Sequence, residues 1–158
     1  MVSVKGRLQA VKDSLLPVCL SDTGKGGLKV IINEDNYVDE AEKVIKKLSQ
    51  AVNQKGRPVP MVTTSKLRNL LAMTADIYNE VVNCTEDQLS GELRSRIEYL
   101  RVHFIYEAGR DGDVKRLVEE AKLLDILKGI QGSKKNYLLF NRYMEALVAF
   151  HRYYCGRD

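Results

Sequence analysis

Two hydroxyl residues followed by two cations, at the start of a predicted helix, form the part of the sequence best suited to bind an anion. In the segment PMVTTSKLRNLLAM, Thr64 and Ser65 come directly before Lys66 and Arg68. A helix start exposes unpaired backbone N–H groups and the positive end of the helix dipole, which acidic residues normally complement. A phosphate could therefore bind the N–H groups, the hydroxyls and both cations together.

The same residues also have a purely structural interpretation. Thr63 or Thr64 could cap the helix with its hydroxyl, and Lys66 and Arg68 could be ordinary cations in water. Both interpretations fit the spacing equally well, so both stay open at this point.

Cations recur at other predicted helix starts and turns. Arg110 lies in a glycine-rich turn, and Lys115 follows the aspartates that could cap the next helix. Lys134 and Lys135 directly follow Ser133, again in a first helical turn. Three of the four strongly predicted helices thus begin with a capping residue and nearby cations, which favours an anionic partner.

Arginines also form a band inside the second strongly predicted helix. Arg96 and Arg101 lie four and three residues after Glu92 and Glu98, respectively. These spacings favour ion pairs within the helix. For Arg96 we therefore expect mainly a surface ion pair.

No catalytic or metal-binding constellation is predicted. The segment TGKGGLK lacks the spacing of a phosphate-binding loop, and GRDGD lacks the alternating oxygen ligands of a calcium loop. His103 and Glu107 lie one helical turn apart without a third ligand, and His151 lies on an apolar helix face as a core histidine would. We predict no enzyme activity, no cofactor and no metal.

Composition and length are typical of one soluble globular domain. The chain has 158 residues, of which 44% are hydrophobic and 29% charged, and its net charge is +4. The three cysteines are widely separated and form no CxxC motif, which argues against disulfides and a zinc site. No apolar run resembles a signal peptide or membrane span, so we expect a cytoplasmic protein without membrane contact.

Apolar spacing predicts an all-α, single-domain helical bundle over residues 1–158. Its N-terminal part is weaker: a broken helical pattern over residues 5–19, an extended segment LKVIIN and a helix over residues 36–53. Four strong helices follow, and their short connections favour antiparallel neighbours. The first begins at Thr63, and the second runs from Thr85 or Ser90 to near Gly109. The third runs from Asp111 or Asp113 to near Gly132, and the fourth from Ser133 to near Gly156.

Three segments in this order resemble a known family: VTTSKLRNLL, RVHFIYEAGRDGDVKRLVE and KKNYLLFNRYMEALVAFHRYY. They are similar to the small subunit of the type III-A CRISPR effector, the Csm complex. The resemblance covers residues 60–157 as a family-like core, while residues 1–35 are expected to be variable and their order is left open. Where the family leads us to expect a glycine pair after the final tyrosines, this chain has Cys155 and Gly156.

The resemblance implies a non-catalytic RNA-binding scaffold subunit for antiviral defence. Several stacked copies would lie beside the backbone subunits and the large subunit of the Csm complex, and would grip the phosphates of guide RNA and target RNA. Cutting would belong to the other subunits, and base pairing would supply specificity. The implied RNA contacts are Thr64, Ser65, Lys66, Arg68, Arg101, Arg110 and Lys115, with Lys134 and Lys135 at the next helix start.

A second interpretation is a helical protein–protein adaptor without direct nucleic-acid contact. In that case the cations are surface residues in water, and an exposed apolar patch is the interaction surface. In the RNA-binding scaffold that the resemblance implies, we expect part of the tyrosines, for example Tyr106, Tyr143 or Tyr153, to contact neighbouring subunits; the alternative for each is packing in the core. A helix-turn-helix DNA binder fits less well, because the predicted helices are too long.

Overall fold

The computed structural model describes residues 32–156, which form six helices and no strand. This all-α bundle confirms the predicted fold class. The pattern over residues 5–19, the segment TGKGGLK and most of LKVIIN lie outside the described residues. The helices are α1 (Tyr37–Ser49), α2 (Thr64–Asn83), α3 (Gly91–Arg110), α4 (Gly112–Glu120), α5 (Leu123–Gly129) and α6 (Lys134–Cys155).

Helix α1 ends earlier than the predicted helix over residues 36–53. Its apolar face buries Ala41, Val44 and Ile45. After Ser49 the chain turns, because the Asn53 carboxamide oxygen accepts the N–H groups of two later residues, at 2.9 and 3.0 Å. An asparagine that bonds the following backbone in this way favours a turn over a continued helix.

The third strongly predicted helix is in fact two helices, and the prediction of one continuous element was wrong. The chain breaks between α4 and α5 at Lys122, which adopts a left-handed conformation with φ of 54°. Leu117, Ala121 and Leu127 on both sides of the break are buried. The apolar spacing therefore continues through a turn that neither glycine nor proline marks in the sequence.

Helix α6 supplies much of the core, where it packs against α1 and α2. Its inner face buries five large side chains completely, each of which stabilises the fold by about 1.5–3 kcal/mol. They are Tyr137, Phe140, Tyr143, Met144 and Leu147. This face holds α2 in place, and α2 carries the candidate site.

Helices α2 and α6 run antiparallel, as their contacts at both ends establish. Near the end of α6, His151 contacts Val62 and Thr64 at the start of α2. At the start of α6, the Lys134 ammonium donates to the carbonyl of Cys84, just beyond the end of α2. No short connection joins these two helices, because α3, α4 and α5 lie between them in the chain, so the expectation from short connections stays a prediction.

A buried polar chain joins the middles of the same two helices. The Thr74 hydroxyl donates to the Asn141 side-chain oxygen at 2.8 Å, and the Asn141 amide donates to Glu145 at 2.8 Å. The Tyr137 hydroxyl donates to the Thr74 carbonyl at 2.7 Å, and burial raises the pKa of this tyrosine. Because buried polar groups need partners, the two bonds that cross between the helices, from Thr74 to Asn141 and from Tyr137 to Thr74, fix one register of α2 against α6.

Candidate nucleic-acid interface

The start of α2 is capped by Thr63, as one of the two structural alternatives expected. The Thr63 hydroxyl accepts the backbone N–H of Lys66 at 3.3 Å, and the first turn contains no acidic residue. His151 of α6 contacts this helix start from the core: its Nε2 lies 2.6 Å from the Val62 carbonyl and its Nδ1 lies 3.4 Å from the Thr64 hydroxyl. Both ring nitrogens of this buried histidine therefore engage the residues that flank the cap.

The two candidate hydroxyls at this start lie in different environments. Thr64 is only 2% exposed and its hydroxyl faces His151, so its side chain points into the core. Ser65 is exposed. An RNA contact by Ser65 is sterically open, whereas one by Thr64 would have to use its backbone. Both contacts stay predictions.

Lys66 has a partner that the local sequence does not reveal. Its ammonium forms an ion pair with the carboxylate of Asp111, which lies between α3 and α4. This carboxylate raises the pKa of Lys66, and Lys66 in turn lowers the pKa of Asp111, with smaller help from the backbone N–H of Val114. The acid missing from the first turn of α2 is thus supplied by another part of the fold.

Lys66 and Arg110 line the same cleft although they belong to different helices. The cleft has a volume of about 680 Å³ and lies between α2 and the junction of α3 with α4. Three carboxylates, those of Asp76, Glu107 and Asp111, line it as well. Its walls therefore mix both signs of charge, and an anion is favoured near the cations rather than throughout the cleft.

Arg110 is exposed and makes two weak contacts on its own helix. Its guanidinium lies 3.4 Å from the Glu107 carboxylate and 5.4 Å from the centre of the Tyr106 ring. Exposed ion pairs of this kind contribute little to stability. Arg110 can consequently turn toward another anion at small cost.

Arg68 is exposed and forms no ion pair with any residue between 32 and 156. It lies two positions after Lys66, which places the two side chains about 200° apart around the helix. The structure therefore does not bring Lys66 and Arg68 to one point. An RNA that contacts both side chains would have to use separate phosphates.

The other candidates on α3 and α4 have partners within their own helices. Arg101 lies 3.0 Å from Glu98, which is the ion pair expected from their spacing. Lys115 lies 3.9 Å from Glu119, and both are well exposed. Exposed pairs of this type exchange readily with other ions, so RNA contacts by Arg101 and Lys115 stay predictions.

Arg96 pairs differently from the expected intrahelical contact. Its guanidinium forms an ion pair with Glu80 of α2 instead of Glu92 of its own helix. The expectation that Arg96 is mainly a surface ion-pair partner holds, but the partner was wrong. The reason is that α3 packs beside α2, which apolar spacing alone does not specify.

The two lysines at the α6 start differ from one another. Lys134 donates to the carbonyl of Cys84 and lies 3.4 Å from that of Val82, so it binds the end of α2. Lys135 is 71% exposed in its side chain and lies 3.5 Å from Glu34. An RNA contact by Lys134 would compete with its carbonyl partners, whereas Lys135 is accessible. Both contacts stay predictions.

One exposed cation near this start was missed by sequence reasoning. Arg142 shares a smaller cleft of about 170 Å³ with Lys134 and Lys135 and makes no ion pair with another described residue. It follows Lys135 by seven positions, which is two helical turns and places both on one face. That spacing was the available signal.

An apolar surface on α3 lies open to solvent. It consists of Tyr99, Val102, Ile105 and Tyr106, which are between 49% and 63% exposed. We call it the α3 apolar surface. Exposed apolar side chains grouped on one helix face mark interaction sites more often than scattered ones do.

The tyrosines considered for subunit contacts divide between surface and core. Tyr106 and Tyr153 are exposed, the latter by 78%. Tyr143 is fully buried and its hydroxyl lies 3.4 Å from the Ala121 carbonyl, so of the two alternatives for this residue the structure has core packing. Burial also raises the pKa of Tyr143.

In residues 32–156, no three histidine, cysteine or acidic side chains are grouped closely enough to hold a metal ion. None of the helices found there is long and apolar enough to cross a membrane.

Known proteins with similar sequences identify the family. The family model described as Csm2 Type III-A matches residues 37–157. A Streptococcus thermophilus protein named "CRISPR system Cms protein Csm2" is 39% identical over 128 residues, which are 81% of this chain and 98% of that protein. A Mycobacterium tuberculosis protein of the same name is 40% identical over 125 residues, which cover 79% of this chain and 96% of the relative.

Proposed function

The chain belongs to the Csm2 family of type III-A CRISPR systems, and from this premise we propose that it is a non-catalytic RNA-binding scaffold subunit. In this role it stacks in several copies and grips the phosphate backbone of guide RNA and target RNA. The family resemblance of the three sequence segments is the source of this role. Base pairing supplies the specificity, and the protein only has to hold the strands.

The observation that supports RNA binding best is the convergence of two predicted cations on one cleft. Lys66 comes from the acid-free start of α2, and Arg110 comes from the end of α3. Arg68 is also exposed on α2, but it lies on the side of the helix away from Lys66 and does not line the cleft. Backbone N–H groups at the helix start add positive potential to these side chains.

Carboxylates in the cleft restrict where a phosphate can lie. Asp76 and Glu107 would repel it from the walls that they line. The phosphates should therefore follow the side of the cleft that carries Lys66 and Arg110. A strand held there by few contacts binds weakly to one copy, and several copies on one RNA bind it much more tightly.

The α3 apolar surface favours a second candidate function, a protein–protein adaptor. An exposed group of apolar and aromatic side chains suits contact with another protein. Both roles are compatible in one complex, since the surface and the cleft use different parts of the molecule. They differ in whether the protein alone binds RNA.

RNA binding by the full chain, measured by fluorescence anisotropy against salt, tests the proposal. Two short labelled RNAs of unrelated sequence serve as probes. We expect Lys66→Ala and Arg68→Ala to weaken binding to both RNAs equally, because phosphate contacts carry no sequence information. Each variant should reduce the salt slope by about one unit, for one lost phosphate contact.

Lys47→Ala is the matched control, because it removes the same charge from α1, where Lys47 pairs with Glu120. It should leave affinity and slope nearly unchanged. If Lys66→Ala and Arg68→Ala behave like Lys47→Ala, the assignment of the RNA site is wrong. If the native chain retains no RNA at moderate salt, the adaptor function is favoured.

A further inference from the structure

The two carboxylate oxygens of Asp111 make contacts with different partners. Oδ1 caps α4, where it accepts the backbone N–H groups of Asp113 at 2.9 Å and Val114 at 3.2 Å. Oδ2 contacts the Lys66 ammonium. The cap holds the carboxylate in place, so it cannot move away from Lys66 without uncapping α4.

We propose that Asp111 limits the RNA affinity of the α2 start, because its carboxylate occupies the place at Lys66 that an RNA phosphate would take. This inference rests on the proposed RNA-binding function. A carboxylate and a phosphate both accept charge-assisted hydrogen bonds from an ammonium group. A phosphate that approaches Lys66 must therefore share or displace the contact with Asp111.

The surroundings of Lys66 make Asp111 its main competing anion. Asp111 is the carboxylate in direct contact with it, and Asp113 acts only from a greater distance. Asp113 is itself held by Arg116 at 2.6 Å. Asp111 thus sets how much of the Lys66 charge is available, and a moderate affinity at each copy keeps the RNA exchangeable.

Because the two oxygens have different partners, one substitution can remove the charge that faces Lys66 and still keep the cap of α4. Asp111→Asn keeps an oxygen for the α4 cap, and asparagine caps helices about as well as aspartate. It removes the negative charge that faces Lys66. Thermal unfolding followed by circular dichroism checks that α4 and the fold are retained.

Affinity for a short labelled RNA at low salt is the measurement. We expect Asp111→Asn to bind roughly threefold to fivefold more tightly, as the loss of one partly exposed competing ion pair implies. The gain should shrink as salt screens the charges. Glu120→Gln at the other end of α4 makes the same charge change away from the cleft, and should alter affinity much less.

The background variant Lys66→Ala separates the possible explanations. In that background Asp111→Asn should give no gain in RNA affinity, because the Lys66 ammonium for which Asp111 and the phosphate compete is absent. Weaker or unchanged binding by Asp111→Asn alone overturns the inference, as does an equal gain in the Lys66→Ala background. If Lys66→Ala itself leaves RNA binding unchanged, the proposed RNA site fails as well, and the two failures are distinguishable.

Discussion

The starts of α2 and α6 share one sequence signature. Each has a hydroxyl cap: Thr63 accepts the N–H of Lys66, and Ser133 accepts that of Asn136, both at 3.3 Å. Neither first turn contains an acidic residue. From sequence alone, both starts are equally good anion sites.

The two starts differ in the partner of their lysine. Lys66 binds the carboxylate of Asp111, whereas Lys134 binds backbone carbonyls at the end of α2. One anion can replace another at Lys66. The carbonyls carry the negative end of a helix dipole and cannot leave without unwinding that helix. The same signature therefore leaves Lys66 with a partner that another anion can replace at α2, and attaches two helices at α6.

His151→Leu should have the largest effect on stability and should affect the start of α2, because that start depends on this buried side chain. The variant leaves the Val62 carbonyl and the Thr64 hydroxyl without their partner. An unsatisfied buried group costs about 1–3 kcal/mol, so we expect a loss of about 3 kcal/mol in the free energy of unfolding. Urea unfolding of the full chain measures it.

His103→Leu is the matched control for that experiment. His103 is only partly buried and its ring packs edge-on against Tyr99 at 4.6 Å. The same substitution there should cost much less. An equal loss in both variants would show that the bonds of His151 do not stabilise the α2 start specifically.

Lys134→Met should give the next largest effect and sharpen the comparison. It keeps the aliphatic chain but removes the ammonium that binds the carbonyl groups of Val82 and Cys84. We expect a loss of about 1 kcal/mol in the free energy of unfolding, as for a partly exposed hydrogen bond from a charged donor. RNA affinity should fall less than in Lys66→Met, because the Lys134 ammonium already has carbonyl partners.

Lys66→Met should show the opposite pattern in the same two measurements. Its ion pair is exposed to solvent, so the unfolding midpoint should barely move, while RNA affinity falls. If Lys134→Met weakens RNA binding as much as Lys66→Met does, the functional distinction between the two helix starts is wrong.

The smallest expected effect is a pH dependence at the α2 start. Lys66 lowers the pKa of Asp111, so their contact stabilises the fold above the ordinary aspartate range. This stabilisation is lost as the pH falls through the lowered pKa. Carboxyl NMR titration of Lys66→Met should show a higher Asp111 pKa, still below the ordinary value because the N–H groups of α4 remain. An unchanged Asp111 pKa would contradict the pairing.

Much of the fold was predictable from apolar spacing. Leu67, Leu70 and Ile77 recur at helical intervals and lie buried in α2 as expected. The break at Lys122 was not predictable, because apolar residues continue on both sides and lysine does not favour a left-handed conformation. A helix break can be predicted from the sequence only where a local residue type, such as glycine or proline, causes it.

The candidate site was predictable only in its local part. Thr63 and Ser133 were recognisable as caps, and the nearby cations follow directly in the sequence. The partners of Lys66 and Lys134 lie far along the chain, and only the packing of the helices brings them close. A sequence pattern therefore locates cations but does not reveal which of them the fold has already neutralised.

The three links between α2 and α6 have a mechanical consequence. His151 joins them at one end, Thr74 with Asn141 in the middle, and Lys134 at the other end. A slide of α2 by one helical turn, about 5.4 Å, would break all three at once. The start of α2 is accordingly preorganised: side chains such as Lys66 can change partners, while the backbone that carries them stays in place.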